Sequence, residues 1–495
     1  MSLLRKLAGE TAIYGFSYVL SRVLHYLLFT FYLTRVFNDD ESQYGIYRDL
    51  YFYVAVIIVV LTFRMETTYF RYAKEDRTKV TTMALAFLTS LSTFFLFGLW
   101  LFRHDVAEWL EYPGMTKHII MLGFVLFFDV LSAVPFASLR QQNRPMRFLL
   151  LKLGSIVLNI VFVLFFLEGL PYLAKQSEFW FQFYTTGDKL YYIILGNLIA
   201  SAVTFVLLLP ILRKQSFEWD FGFLKRMIRF SWPLVIVGFA GVINQYSSIA
   251  FQKHLLGNDL TTNLEKGGKY AAAASLALLL SLFTTAYNYA AEPFFFAHRD
   301  KQEARAVYAD AALAYTIFAA IMMLVILAYI DLFQLLLGTN FREQLEAVPV
   351  LLVSFLFLGI YYNVSIWYKL VDKTIWGAWI SLTGTVITIV LSFLLIRSIG
   401  EIGSAWTALA CYVFMVFSAY FLGQKFYPIP YKIWRMVGWI TVALILYFIM
   451  EWGRRFYEDK LPVILTANTI IIVGYVLLVY VFEKSLVKQV RGRET

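Results

Sequence analysis

The feature that most constrains the fold is a series of apolar runs, each about twenty residues long and nearly free of charge. A helix needs about 20 apolar residues to cross the hydrocarbon core of a bilayer, and soluble domains do not carry such runs in series. Only 15% of the residues are charged, against about 25% in a typical soluble domain. The sequence therefore predicts an all-α protein that crosses a membrane many times.

The runs and the breaks between them predict fourteen transmembrane helices. The predicted spans are 11–35, 47–65, 81–102, 118–139, 148–167, 191–212, 227–252, 270–291, 307–330, 347–369, 375–396, 402–422, 433–450 and 462–482. No loop between them is long enough for a folded domain. The longest, 168–189, is rich in aromatic residues and is predicted to lie at the membrane interface.

Most Lys and Arg residues fall in the loops on one side of these spans. Arg64 and Arg71 are counted in one such loop, whereas the opposite loops include the acidic stretch 38–42. By the positive-inside rule the basic side is cytoplasmic, and the even number of spans places both termini there. This distribution accounts for the net charge of +10, so nucleic acid is not a predicted partner.

Metal sites, disulfides and catalytic centres find no support in the sequence. The single cysteine, Cys411, lies in an apolar run, and the five histidines are scattered. Neither an HExxH motif nor a pair of catalytic carboxylates is present. We therefore predict no metal, no cofactor and no enzymatic activity.

Two stretches of the sequence match each other. The second and eighth predicted helices begin at Gly45–Tyr47 and Gly268–Tyr270, and they end at Met65–Phe70 and Ala291–Phe296. Both stretches hold the same place relative to the spans, so we interpret them as an internal repeat, with a chance match as the alternative. An even number of helices in each copy implies that both copies enter the membrane from the same side.

The repeat predicts the domain organisation. Residues 1–214 and 215–424 would form two six-helix lobes related by a pseudo-two-fold axis along the membrane normal. Residues 425–495 would add two transmembrane helices and a cytoplasmic tail. Substrates of such folds bind near the bilayer midplane between the halves, so polar residues at mid-depth are the candidates for a binding site.

Several stretches of this chain resemble a known family. They are Gly9–Gly15, the helix ends Met65–Phe70 and Ala291–Phe296, the Trp-Tyr-Lys stretch Ile366–Lys369, and the run Gly377–Trp406. In these stretches the chain is similar to the bacterial flippases of lipid-linked oligosaccharides. These form the polysaccharide-export branch of the multidrug, oligosaccharidyl-lipid and polysaccharide exporter superfamily. The similarity covers most of the chain.

This resemblance implies a two-lobed fold of fourteen helices, transport by alternating access, and a cargo of sugars linked to a polyprenyl pyrophosphate. It also implies a place in the bacterial cytoplasmic membrane, with membrane lipids and polysaccharide-assembly proteins as partners. The chain departs from many relatives in two places. Ser247 and Ser248 stand where those relatives carry an Asp-Arg pair, and Ser392 and Arg397 stand where they carry Asn and Pro.

The first predicted helix carries a polar stripe. Tyr14, Tyr18, Arg22 and His25 recur every three or four residues, while the other faces of the helix are aliphatic. Aromatic faces stack on sugars and a guanidinium binds phosphate in two-pronged fashion, so the stripe suits a sugar-phosphate cargo. Asp129 lies about as deep in the fourth helix. It is therefore either a further cavity residue or the structural counter-ion of Arg22.

Two further groups are candidates for lining the cavity. Arg48 and Asp49 open the second helix near the periplasmic face, where they could form an outer gate or touch the cargo head group. The alternative, which we favour, is that both simply reach out to water. On the fifth helix Lys152, Ser155 and Asn159 share one face, which fits helix packing somewhat better than cavity lining.

Matching carboxylates mark the cytoplasmic ends of the second and eighth helices. Glu66 and Glu292 could close the cytoplasmic side as a gate, and ordinary ion pairs with loop cations are the alternative. Pro293 removes a backbone donor beside Glu292, and we predict that it breaks the eighth helix.

Three functions compete. We favour a flippase that moves the sugar-pyrophosphate head of a polyprenyl lipid from the cytoplasmic to the periplasmic leaflet, because deep Arg22 and His25 suit an anionic cargo. A multidrug cation antiporter of the same fold is the alternative, and it would favour cavity carboxylates. A membrane glycosyltransferase or polymer ligase is disfavoured by the short loops. The sequence does not decide whether H⁺ or Na⁺ drives transport.

Overall fold

The computed structural model describes residues 20, 23–24, 30–142, 144–184, 188–212, 218–298, 304–371, 373–456 and 460–484. Helices dominate, because a helix satisfies its backbone hydrogen bonds within one segment and hydrocarbon offers no other partner. Thirteen helices in these ranges are long and apolar enough to cross a membrane, and each matches a predicted span. The all-α membrane fold is confirmed; the remaining predicted span, 11–35, lies largely outside the described residues.

The helices as far as residue 246 are α1 (Leu33–Val36), α2 (Glu41–Thr62), α3 (Met65–Tyr72), α4 (Arg77–Leu101), α5 (Arg103–Trp109), α6 (Thr116–Gln141), α7 (Pro145–Leu164), α8 (Leu170–Ala174), α9 (Glu178–Phe181), α10 (Lys189–Leu212) and α11 (Phe221–Tyr246). A 3-10 turn at Pro113–Met115 precedes α6, and a π-helical turn at Phe165–Gly169 follows α7. The aromatic loop predicted at the interface thus contains the two short helices α8 and α9.

The later helices are α12 (Ser248–Leu255), α13 (Leu260–His298), α14 (Ala304–Ala328), α15 (Ile330–Phe333), α16 (Ala347–Val364), α17 (Ile366–Leu370), α18 (Thr374–Ile399), α19 (Ile402–Phe426), α20 (Ile433–Phe456) and α21 (Leu461–Phe482). Single 3-10 turns occupy Gln334–Leu336 and Thr339–Phe341.

The chain forms two compact units. The first comprises the described residues of Met1–Phe29 and Tyr47–Ile243, and the second those of Thr30–Ile46 and Asn244–Thr495. The predicted division into lobes 1–214 and 215–424 with an appendage at 425–495 stays a prediction.

The core of the first unit is an apolar cluster built where α3, α4, α6 and α11 meet. Met65 and Tyr69 of α3 are fully buried there, with Val80 and Met83 of α4 and Val130 of α6. Tight packing of this kind holds membrane helices together, since lipid tails are as apolar as the side chains themselves. The cluster fixes the position of α3 against its neighbours.

In the second unit, two glycines from the matching sequence stretches meet. A Cβ on Gly268 of α13 would lie 2.8 Å from the carbonyl oxygen of Glu41 and 3.0 Å from the backbone nitrogen of Gly45, both in α2. A Cβ on Gly45 would in turn overlap the carbonyl of Leu264. Only glycine permits so close an approach of two helix backbones. The repeated glycine therefore marks a helix crossing.

The matching helix ends differ. Helix α2 ends at Thr62, and two residues with left-handed backbone, Phe63 (φ 48°) and Arg64 (φ 52°), separate it from α3. Helix α13, in contrast, continues through position 293 to His298. The predicted break at Pro293 is therefore wrong. A proline removes one backbone hydrogen bond, and a membrane helix tolerates this loss where its neighbours re-satisfy the freed group.

Candidate functional site

A polar cluster lies inside the first unit, midway along its membrane helices. Asp129, near the middle of α6, hydrogen-bonds with Ser201, near the middle of α10. The carboxylate can only accept in its ionised form, so the Ser201 hydroxyl donates. Two helices are thus tied together through a carboxylate at mid-membrane depth, where an ionised group is costly unless protein or water surrounds it.

A second pair of polar side chains joins this cluster from α2 and α10. The Asn197 side-chain amide donates to the Tyr51 hydroxyl at 2.7 Å. The Asp129 charge acts on Tyr51 as well, so the two pairs belong to one cluster. The Tyr47 ring lies 4.6 Å from the Tyr51 ring, one turn along α2. Aromatic faces beside amide and hydroxyl groups are the surface that sugars bind.

Helix α7 brings a cation to the same region. Lys152 is the opposite charge that acts on Asp129, and its ammonium lies 5.1 Å from the centre of the Phe136 ring. Ser155 donates to the Lys152 carbonyl at 2.8 Å. Asn159, two turns beyond Lys152, is 9% exposed, and its side-chain oxygen accepts no hydrogen bond within the described ranges. The α7 face predicted for packing or lining therefore carries a cation and a buried amide acceptor.

In the predicted pair Arg48 and Asp49 on α2, Asp49 lies in a different environment from the one we favoured. Asp49 is fully buried, and the Tyr112 hydroxyl donates to its carboxylate at 2.8 Å. The expectation that Asp49 reaches out to water is therefore wrong, because Tyr112, far along the chain, covers it. Arg48 beside it is partly buried. Whether this pair forms a gate stays a prediction.

The side chains of only some of the predicted gate residues are described by the structure. Glu66 on α3 accepts from the Arg140 guanidinium at 2.6 Å, and that guanidinium lies 4.9 Å from the centre of the Phe70 ring. This contact agrees with the ion-pair alternative for Glu66. The side chains of Glu292 and Pro293 lie outside the described part of the structure, so a gate that uses them stays a prediction.

The stripe on the first helix also lies outside the described residues. Tyr14, Tyr18, Arg22 and His25 are the positions concerned. Their role in cargo binding, and the pairing of Arg22 with Asp129, stay predictions.

The sequence analysis did not predict the position of one cation, Arg64. It was counted in a loop, yet its guanidinium packs against Gly238 of α11. A Cβ at Gly238 would lie 2.7 Å from Nε and 2.8 Å from Cζ of Arg64. The available signal was that Arg64 falls inside the predicted span 47–65.

The fold is similar to that of known transporters. It matches the lipid II flippase MurJ in an inward closed conformation with a TM-score of 0.69 and 13% identity, covering 96% of this chain and 99% of that one. An outward-facing multidrug resistance MATE family transporter of the MOP superfamily matches with a TM-score of 0.61 and 13% identity, over 85% and 94% of the two chains. A mutant of the Vibrio cholerae MATE transporter VcmN matches with 0.60 and 12% identity, over 84% and 97%.

No protein-family model and no curated protein matches the sequence. At these identities the likeness concerns the fold. The chain shares the fold of these flippase and MATE transporter structures, as the resemblance implied.

Proposed function

We propose that this protein is a flippase that moves a polyprenyl-pyrophosphate-linked oligosaccharide from the cytoplasmic to the periplasmic leaflet by alternating access. The observation that carries the proposal is the polar cluster around Asp129 in the middle of a transporter fold. Its amide, hydroxyl and aromatic groups, contributed by Tyr51, Asn197 and Ser201, suit sugar hydroxyls and sugar faces. A transporter of purely apolar cargo has no use for such groups at mid-membrane depth.

The charges near this cluster support an anionic head group. Lys152 is the cation that acts on Asp129, the carboxylate between the membrane helices of the first unit. Arginine and lysine bind phosphate oxygens, and their attraction is stronger away from bulk water. Asp129 can hold a cation in place while the cargo is absent and release it when phosphate arrives. Under this proposal the coupling ion, H⁺ or Na⁺, would act at Asp129.

A multidrug cation exporter is the second candidate. Asp129 and Asp49 are buried carboxylates, the groups that a cationic drug requires. The MATE transporters among the similar folds support this reading as well. Neither candidate involves chemistry on the cargo, and no enzyme stands among the similar folds named above.

Transport in liposomes tests the two candidates. The purified protein is reconstituted with a polyprenyl-pyrophosphate-linked disaccharide that carries a fluorophore on the sugar, and a membrane-impermeant reductant bleaches the outer leaflet. We expect the wild type to bring the inner-leaflet label within reach of the reductant. Asp129→Asn keeps a partner for Ser201 but removes the charge, and it should slow flipping at least tenfold, or about 1.4 kcal/mol in barrier.

Ser132→Ala is the matched control. Ser132 lies one turn from Asp129 on α6, is 5% exposed, and donates only to the Phe128 carbonyl of its own helix at 2.8 Å. Its removal should leave flipping unchanged. If the wild type flips no lipid-linked sugar but exports the cationic dye ethidium in exchange for protons, the second candidate replaces the first.

A further inference from the structure

Three aromatic rings form a layer where α3 ends and α11 begins. The Tyr72 ring of α3 packs edge to face against the Phe223 and Phe230 rings of α11, with ring centres 5.5 and 6.0 Å apart. The Tyr72 hydroxyl donates to the Arg226 carbonyl at 3.4 Å. Phe223 is 3% exposed and belongs to the core of the first unit. The core therefore holds this layer in place.

Two guanidinium groups lie over the rings of this layer. The Arg71 Cζ is 4.6 Å from the centre of the Phe230 ring, and the Arg226 Cζ is 4.9 Å from the centre of the Phe223 ring. Both arginine side chains are exposed. A ring attracts a cation through its π electrons and takes up none of its N–H donors in ordinary hydrogen bonds. The layer thus positions two sets of paired donors on neighbouring rings.

The chain itself does not neutralise most of the cations at this place. Within the described parts of the structure, Arg71, Lys225 and Arg229 form no ion pair with a carboxylate, and Arg226 only approaches Glu75 at 3.9 Å. We call Arg71, Lys225, Arg226 and Arg229 the α3–α11 patch. Other cations on the same predicted side are neutralised, in the ion pairs Arg140–Glu66, Lys432–Asp310 and Arg435–Glu483. The α3–α11 patch therefore keeps a positive charge that an external anion can meet.

Exposed tryptophans indicate the depth at which the α3–α11 patch lies. Trp219 and Trp232 are 65% and 51% exposed, and they flank Arg226 along the chain. Tryptophan is enriched at the boundary between hydrocarbon and headgroups. From Arg226 to Trp232 the helix rises about 9 Å at 1.5 Å per residue, and the headgroup region of one leaflet is about 5–8 Å thick. With Trp232 at the boundary, the patch lies at the level of the phosphates.

We propose that the α3–α11 patch binds an anionic phospholipid of the leaflet on this side of the membrane, which the distribution of cations predicts to be cytoplasmic. Arg71 and Arg226 hold the phosphate, since a guanidinium binds phosphate oxygens through paired N–H groups. Lys225 and Arg229 add attraction, because cytoplasmic leaflets carry negative charge. The exposed tryptophans favour a lipid over a soluble phosphate. This inference does not rest on the proposed function, because the ligand belongs to the surrounding membrane and not to the cargo.

Native mass spectrometry of the purified protein tests the site. The protein in detergent is titrated with phosphatidylglycerol, which is anionic, and with phosphatidylcholine of the same acyl chains, which has no net charge. We expect the wild type to prefer phosphatidylglycerol, and added salt should weaken the preference. The double change Arg71→Gln with Arg226→Gln should weaken phosphatidylglycerol binding about 25-fold, since each cation at an anionic membrane surface contributes about fivefold. Phosphatidylcholine binding should not change.

Two further variants separate the support of the patch from its charge. Phe230→Leu removes the ring beneath Arg71 but keeps an apolar side chain, and it should weaken phosphatidylglycerol binding severalfold. Arg103→Gln is the matched control. The Arg103 Cζ lies 5.4 Å from the centre of the Trp100 ring, beyond the far end of α4 at Leu101. This variant should bind both lipids as the wild type does.

Four results would overturn the lipid site. The double variant, folded by its thermal transition, could bind phosphatidylglycerol as tightly as the wild type, or the wild type could show no preference between the lipids. Equal weakening for both lipids would assign Arg71 and Arg226 a structural role. If glycerol 3-phosphate, which has the phosphate without acyl chains, binds as tightly as phosphatidylglycerol, the ligand is a soluble phosphate. None of these results affects the flippase proposal, which the flipping assay tests separately.

Discussion

The two units fill their membrane interiors with different chemistry. The first places charges there, with Asp129 and Lys152 on its helices. In the second, a comparable cluster is neutral: the Asn244 amide donates to the Ser381 carbonyl at 3.4 Å and accepts from Thr388 at 3.2 Å. A neutral network satisfied within the protein stabilises helix packing, whereas buried charge is retained at a cost in stability. Under the proposed function, the first unit would handle the charge of the cargo and of the coupling ion.

The same contrast appears at the matching helix ends. Similar sequences at 65–70 and 291–296 belong to different backbones, because the break that precedes α3 has no counterpart in the continuous α13. The first copy therefore places the Arg64 guanidinium against Gly238 of α11, whereas the second remains a regular helix. A repeated sequence motif here does not give a repeated backbone.

The largest expected effect comes from introducing a charge into the neutral cluster of the second unit. Asn244→Asp puts a carboxylate into the neutral cluster and aims it at the Ser381 carbonyl, which needs a donor. We expect a loss of about 2.5–3.5 kcal/mol in unfolding free energy, the cost of a charge at the centre of a membrane helix. Thermal unfolding in detergent measures it. Asn244→Leu, which removes the polar group without adding charge, is the control and should lose less.

The second part of this experiment removes the charge from the cluster of the first unit. Asp129→Asn should leave the melting temperature near that of the wild type, because the Ser201 hydroxyl can donate to the amide oxygen as it does to the carboxylate. If Asn244→Asp proves as stable as the wild type, the neutral cluster of the second unit tolerates charge and the contrast between the units loses its meaning.

A smaller effect on the melting temperature should distinguish alanine substitutions at two buried glycines, one in each unit. A Cβ on Gly359 of α16 would overlap the Tyr315 hydroxyl, which is held by Thr284 at 2.7 Å and is almost fully buried. Overpacking at such a site costs about 1–3 kcal/mol. We expect Gly359→Ala to lower the melting temperature clearly. Gly238→Ala should change it little, because the exposed Arg64 side chain can move aside. Equal losses would mean that Arg64 is as fixed as Tyr315.

The sequence predicted the membrane fold well, for a physical reason. Apolar length is imposed by the bilayer itself, so each of the thirteen helices long enough to cross coincides with a predicted span. The repeated glycines were visible too, and they turned out to mark the crossing of Gly45 with Gly268. Asp129 was recognised because a carboxylate inside an apolar run stands out against its neighbours.

What the sequence could not provide depends on contacts between distant residues. Asp49 is buried because Tyr112 covers it, and no local pattern predicts that partner. Arg64 was counted in a loop, and no local pattern predicts that the core around Met65 holds its backbone in the left-handed region against the preference of the residue itself. Pro293 was expected to break a helix that in the structure continues to His298. For Asp49 and Arg64, tertiary contacts override the local preference.

The smallest effect concerns the start of α13 in the second unit. Asp259 lies directly before this helix and accepts hydrogen bonds from the Thr262 hydroxyl at 2.5 Å and from the Thr262 backbone N–H at 2.8 Å. These bonds, the side-chain bond first, hold the pKa of the Asp259 carboxyl below its ordinary value. A lowered folded-state pKa stabilises the protein above the ordinary pKa of about 3.9, and the gain disappears as pH falls through the folded value.

Asp259→Ala should therefore melt slightly below the wild type at pH 7, and the difference should vanish in acid. In the first unit, the Asp76 side chain accepts a hydrogen bond from the Lys79 backbone N–H at 3.0 Å. Asp76→Ala removes this cap and should give the corresponding loss of melting temperature for α4. A difference for Asp259→Ala that persists unchanged below pH 3 would show that the aspartate acts through its shape and not its charge.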